Sequence, residues 1–136
     1  MTKPIPRIAR YMTTTPHTIG QEQTLAVAHK LMREHRVRHL PVLNAGKLVG
    51  IISDRDLALI ETLRDVDATK VTVEEAMTQA PYTVSPDASL DDVVATMAEH
   101  RYGSAIVVDN GHVVGVFTTV DALTTLAELL HSRLAK

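Results

Sequence analysis

The sequence predicts an α/β (α+β) protein: two copies of one β-α-β-β-α unit, packed sheet to sheet about a pseudo-twofold axis. Three observations lead there. The chain repeats itself with an offset of 65 residues, running without a gap from Met12/Met77 to Ile60/Thr125. Within each copy, apolar residues change from helical spacing to two adjacent strand-like runs and back to helical spacing. Each copy has about 55 residues, too few to bury a comfortable core alone, which favours packing the copies on one another. Such packing would create two equivalent clefts where the sheets meet.

The repeat keeps special residues in step. Identical pairs include Pro16/Pro81, Thr18/Thr83, Leu25/Leu90, Met32/Met97, His35/His100, Gly46/Gly111, Gly50/Gly115 and Asp56/Asp121. Ile19/Val84, Thr24/Ser89, Ile51/Val116 and Ser53/Thr118 are conservative. The period exceeds that of the common solenoid repeats, and two copies make a duplication, not an array.

The elements follow in order. Pro4 and Pro6 mark the N-terminal arm as an extended strap, and "MTKPIPRIARYM" lacks the apolar run of a secretory signal. A short lead-in strand is expected at "HTI" and "YTV". Thr24 and Ser89 then start helices, with "SLDD" (Ser89 to Asp92) reading as a capping box. Leu90, Val93, Val94 and Met97 form one apolar face, matched by Leu25, Ala28 and Met32 in the first copy. "HLPVLNAGKLVGIIS" and "SAIVVDNGHVVGVFT" are hairpins, with turns at Asn-Ala-Gly and Asp-Asn-Gly. A second helix begins after Ser53 or Thr118 and carries Leu57, Ile60 and Leu63, or Leu123, Leu126 and Leu130. The polar linker Arg64 to Val73 divides the chain into residues 1–66, first repeat with strap, and 67–136, second repeat with an amphipathic C-terminal helix. The leucine stripe of "LTTLAELLHSRLAK" is expected to be core or dimer interface.

Composition narrows the classes. Of 136 residues, 45% are hydrophobic and 22% charged, as in an ordinary globular protein. One Phe, three Tyr and no Trp leave the core to aliphatic residues. A net charge of −2 draws neither nucleic acid nor an anionic membrane, and no stretch reaches the ~18 apolar residues of a membrane span. The basic stretch "KLMREHRVRH" lacks the interleaved aromatics of a nucleic-acid site. Without cysteine there is no disulfide or thiolate chemistry, which fits a soluble, cytoplasmic protein. His17, His29, His35, His39, His100, His112 and His131 form no ligand set, so no metal is expected. No nucleophile–base pair or acid–base cluster points to catalysis; no catalytic residue and no catalytic cofactor are expected.

The duplicated pattern, with "MTTTPHTI", "MREHRVRHLPVL" and "GKLVGIISDRDL", resembles a tandem pair of CBS domains, a Bateman module, from about Ile8 to about Leu130. The resemblance implies a regulatory fold whose inter-repeat clefts bind AMP, ADP, ATP or S-adenosylmethionine. It also implies flat homodimers and an effector protein regulated through a change of shape or pairing. No effector domain is visible in the sequence, so a stand-alone pair is expected. The alternative is a dimeric interaction scaffold with vestigial clefts.

Two stretches then acquire a physical reading: "GIISDRD" (Gly50 to Asp56) and "GVFTTVD" (Gly115 to Asp121). Ser53 and Thr118 sit where a strand becomes a helix, so free backbone N–H groups and the helix dipole would favour phosphate there. Asp56 and Asp121 are acceptors complementary to a ribose diol. Gly50 and Gly115 would permit close approach of backbone or ligand. [ST]-x-x-[DE] is equally a capping box, and both roles are compatible. By the resemblance, Ser53, Thr118, Arg38 and His39 serve phosphate, Asp56 and Asp121 the ribose; Arg55, inside the first motif, adds a further cation for phosphate. Thr18, Ile19, Thr83 and Val84 would flank adenine. Gly103, Ser104 and Val120 stand where the first copy has Arg38, His39 and Arg55. The sites are therefore expected to be unequal: the first suited to a phosphorylated adenosine, the second weak, empty or suited to a less charged ligand.

Overall fold

A computed structural model of the chain describes residues 4–14 and 16–134. In chain order the elements are a 3-10 turn (Ile8–Arg10), β1 (Thr13–Thr14), β2 (Ile19–Gly20), α1 (Leu25–His35), β3 (His39–Asn44), β4 (Lys47–Ser53) and α2 (Asp54–Glu61). Then come α3 (Val73–Ala76), β5 (Thr78–Gln79), β6 (Thr83–Val84), α4 (Leu90–His100), β7 (Ser104–Asp109), β8 (His112–Thr118) and α5 (Thr119–Leu134). They form two compact units: Pro16–Pro81, and Tyr82 onward together with the segment before Pro16.

The first-repeat unit holds the sheet β2-β3-β4-β5. β2 runs parallel to β3 with Ile19 opposite Val42, while β3 and β4 form the hairpin, with His39 opposite Ser53. α1 and α2 close the core with Leu25, Ala28, Met32 and Leu57 against Leu40, Val42 and Ile52. The second-repeat unit holds β1-β8-β7-β6, with Leu90, Val93 and Met97 of α4 against Ala105, Val107 and Phe117. Both hairpins turn on two residues of positive φ, Ala45 and Gly46 or Asn110 and Gly111, as strand twist demands of a two-residue loop.

One compact unit is discontinuous in sequence, because each repeat's sheet is completed by the segment leading into the other repeat. β1 pairs with β8, and β5 pairs with β4. The straps match bond for bond. Pro6 O accepts from Leu90 N–H at 2.9 Å as Val71 O accepts from Leu25 N–H at 3.0 Å. Ile8 N–H donates to Ala88 O at 2.8 Å as Val73 N–H donates to Gln23 O at 2.8 Å. These carbonyls satisfy helix-start donors that lack an intrahelical acceptor. Ile8 and Val73 plug the two cores and are both fully buried.

The close approach expected at the glycines is that of backbone, in this strand exchange: a Cβ at Gly50 would lie 2.8 Å from Thr78 O, and one at Gly115 3.1 Å from Thr13 O, with Met77 and Met12 packed over them. Other expectations change. Ser89 makes no capping box; its hydroxyl bonds the Asp91 carboxylate instead. α2 ends at Glu61, leaving Leu63 outside it and exposed. The α5 stripe is not core: Leu123, Leu126 and Leu130 are 65%, 50% and 48% exposed. The helix turns Thr125 inward instead, its hydroxyl donating to Asp121 O at 2.8 Å.

Candidate functional site

In the first repeat, β4 passes directly into α2 at Ser53, whose extended backbone (φ −114°, ψ 164°) makes it the N-cap. Asp56 N–H donates to Ser53 Oγ at 3.1 Å, and Ser53 N–H donates to Asp56 Oδ2 at 2.9 Å. This is a complete capping box, which sets the half-buried Asp56 carboxylate against the strand end. β3 starts alongside: Arg38 O accepts from Asp54 N–H at 2.9 Å, and His39 faces Ser53 across the ladder. Arg38, His39, Ser53, Arg55 and Asp56 therefore share one end of the sheet.

The expectation of free backbone donors there is corrected. Ser53 N–H and Asp56 N–H are taken by the box, Asp54 N–H by Arg38 O, and Arg55 N–H by Asp54 Oδ1 at 2.9 Å. An anion at this place would meet side-chain donors instead. The exposed Arg38 and Arg55 guanidiniums have no partner among the described residues, and the Ser53 hydroxyl, an acceptor in the box, keeps its proton to donate. Asp56 Oδ1 likewise accepts no hydrogen bond among the described residues. His39 is half-buried at the base of this group.

The second repeat rebuilds the box with different chemistry. Thr118 N–H donates to Asp121 Oδ2 at 2.9 Å, and Asp121 N–H donates to Thr118 Oγ1 at 3.3 Å. The Thr118 hydroxyl also donates to Asp121 Oδ2 at 3.2 Å, so its proton is committed where that of Ser53 is not. Gly103 O accepts from Thr119 N–H at 3.1 Å, repeating the Arg38–Asp54 contact without a cation.

The lead-in residues lie on the far side of β3 or β7 from the boxes. Ile19 stands opposite Val42, three residues along β3 from His39, or about 10 Å at strand rise. Its side chain is committed to the core, so only its backbone faces a neighbour outside. Thr18 is half-buried, Thr83 exposed, and Val84 packs on the second core. Sequence reasoning passed over a set of ring stacks: His17 on His35, with centroids 3.6 Å apart, and Tyr82 on Tyr102 and Tyr102 on His100, at 5.1 and 5.2 Å. Their only sequence signal is that these positions match through the repeat, His17 with Tyr82 and His35 with His100. No helix among the described residues is long and apolar enough to cross a membrane.

Comparison with known proteins places this architecture. The CBS domain family model matches twice, at residues 8–60 and 73–128. The chain is 34% identical over 110 residues to the CBS domain-containing protein YhcV of Bacillus subtilis, covering 81% of this chain and 78% of that protein. It is 30% identical over 122 residues to inosine-5'-monophosphate dehydrogenase of Korarchaeum cryptofilum, covering 89% of this chain but 24% of that enzyme. Among solved structures, the CBS domain pair of protein MJ0100, in complex with 5'-methylthioadenosine and S-adenosyl-L-methionine, superposes with a TM-score of 0.84 at 30% identity, covering 93% of this chain and 99% of that one. Two matched helix–hairpin–helix units, each with its own Ser/Thr–Asp box, thus have a family: the chain belongs to the CBS domain proteins, as a CBS pair.

Proposed function

We propose that this CBS pair is a regulatory module that senses an adenosine-containing ligand. The observation that carries the reading is the recurrence of one acceptor box, Ser53–Asp56 and Thr118–Asp121, at the same strand-to-helix junction of both repeats. A cap alone would not need to be accompanied by Arg38 and Arg55 in one copy only. In the first repeat, Asp56 takes the ribose diol, and Ser53, Arg38, His39 and Arg55 take phosphate. AMP, ADP and ATP are therefore its ligand class. In the second, Asp121 takes a ribose, with Thr118 beside it. Thr18, Ile19, Thr83 and Val84 flank the base, Ile19 through its backbone. The complex of the MJ0100 pair with two sulfur-bearing adenosines favours a second reading, S-adenosylmethionine or a related nucleoside, for the repeat without cations.

The module binds and does not catalyse. It works in the cytoplasm as a homodimer, the exposed α5 leucines providing the contact, and relays occupancy to an effector protein through shape or pairing. A ligand shifts such an equilibrium only by its difference in affinity for the two states. At 100 times its Kd, a nucleotide stabilises the fold by about 2.7 kcal/mol, which for a chain of this size raises Tm by roughly 10 °C. The test is thermal melting with AMP, ADP, ATP and S-adenosylmethionine, on wild type and Asp56→Asn. The Asn side chain keeps an oxygen for the Ser53 N–H but loses the charge. A ligand-dependent rise that Asp56→Asn abolishes supports the reading. No rise with any of the four leaves the ligand-free dimeric scaffold.

A further inference from the structure

We propose that His17 and His35 form a two-imidazole site for a divalent transition-metal ion on the surface of the first repeat. The histidines form no ligand set in sequence, but folding brings these two ring on ring, with centroids 3.6 Å apart and planes 11° from parallel.

Both residues are exposed, and neither ring makes a hydrogen bond or ion pair among the described residues, so the nitrogens of both rings are open to a ligand. Two imidazole nitrogens that share one ion, each about 2.0–2.1 Å from it, stand about 3 Å from one another. Rings at the observed separation reach that spacing by a small tilt of either side chain. The backbones beneath are fixed, as a binding pair requires. His35 closes α1, whose end is tied by Arg36 N–H donating to Met32 O and by Val37 N–H donating to the same oxygen at 3.1 Å. His17 lies just before Ile19, which pairs with Val42 of β3.

Packing alone does not ask for this pair. At the matching positions the second repeat has Tyr82 and His100, and each stacks on Tyr102. A stack needs rings; the first repeat puts an imidazole on both sides of it. Imidazole suits Cu²⁺, Ni²⁺ and Zn²⁺, with Cu²⁺ the tightest, whereas Mg²⁺ and Ca²⁺ take oxygen donors. Among the described residues no third His, Cys, Asp or Glu completes a ligand group. The ion therefore keeps open positions for water or an added ligand, unlike the closed four-ligand sites of structural zinc. Bound there, it ties the segment entering β2 to the end of α1 and stabilises the first unit by mass action.

The test is calorimetric titration of the full chain with the chlorides of copper(II), nickel, zinc and magnesium in a non-coordinating buffer, with NMR of the histidine rings in parallel. Copper, nickel and zinc are each expected to bind at one ion per chain, and magnesium not at all. His17→Phe and His35→Phe keep a ring in the stack but remove its nitrogens. Each is expected to weaken binding at least about 10-fold, while His100→Phe binds as wild type does. Substoichiometric Cu²⁺ should broaden the ring signals of His17 and His35 before those of the other histidines. Uptake that survives both Phe substitutions at 17 and 35, broadening that begins at another histidine, or no uptake by wild type would each overturn the site.

Discussion

Replacing Ile8 by Ala is expected to loosen the second repeat and spare the first, although Ile8 precedes the first repeat in sequence. Ile8 is fully buried in the core formed with Leu90, Val93, Met97 and Phe117. The change deletes roughly three methylene equivalents, worth about 0.8 kcal/mol each. The cavity left behind brings the loss to about 3–5 kcal/mol. That is a large share of the roughly 5–15 kcal/mol that holds a domain. Hydrogen exchange read by NMR localises the effect. Amides of α4 and β7 should lose protection first, while those of α1 and β3 keep theirs longer. Val73→Ala should give the converse pattern with a smaller loss, since Val73 sits in the first core. Protection lost first in α1 on Ile8→Ala would refute the exchange of straps between repeats.

Gly50→Ala should cost about 1–3 kcal/mol in urea denaturation, because its Cβ meets the Thr78 carbonyl, which belongs to a paired backbone and cannot swing away. Ala45→Asn should stabilise by about 0.5–1 kcal/mol in the same assay: Ala45 sits at φ 50°, where the second hairpin already has Asn110. Asp67 accepts from Thr69 N–H at 2.9 Å and Thr69 Oγ1 at 2.6 Å, with the hydroxyl the larger cause of a carboxyl held below its ordinary value. A lowered carboxyl contributes stability above its unfolded value and loses it as pH falls through the folded one. Thr69→Val should therefore move the Asp67 titration seen by NMR upward, towards the ordinary range. Leu126→Glu, at an exposed position of α5, should leave the stability of the monomer itself within about 0.5 kcal/mol. If the chain pairs as proposed, the substitution should also lower the mass found by analytical ultracentrifugation from the proposed dimer to the monomer, and a dimer mass unchanged in the variant would exclude α5 from the contact.

Much was legible because it is local or repeated. The helices follow from Leu25, Ala28 and Met32 and from Leu90, Val93 and Met97, whose spacing survives any detail of packing. The hairpins follow from Gly46 and Gly111, which supply positive φ where a two-residue turn needs it. The duplication itself drew attention to Ser53, Asp56, Thr118 and Asp121, and a box three residues wide closes without help from elsewhere.

What only the tertiary structure decided is which segment completes which sheet and which groups are left unpaired. β1 and β5 are two residues long and polar, so no periodicity announces them; they are strands because β8 and β4 offer an open edge and Gly115 and Gly50 admit them. Of the helix-start donors expected to be free at α2, Asp54 N–H is taken by Arg38 O, an acceptor present only when β3 arrives beside β4, while Asp54 Oδ1 and Ser53 Oγ take the others locally. Spacing left the α5 leucines as core or dimer interface; the structure excludes the core, since Thr125 is the residue turned inward. Periodicity records that a helix has an apolar face; the direction in which that face points is set by what the rest of the chain has already buried.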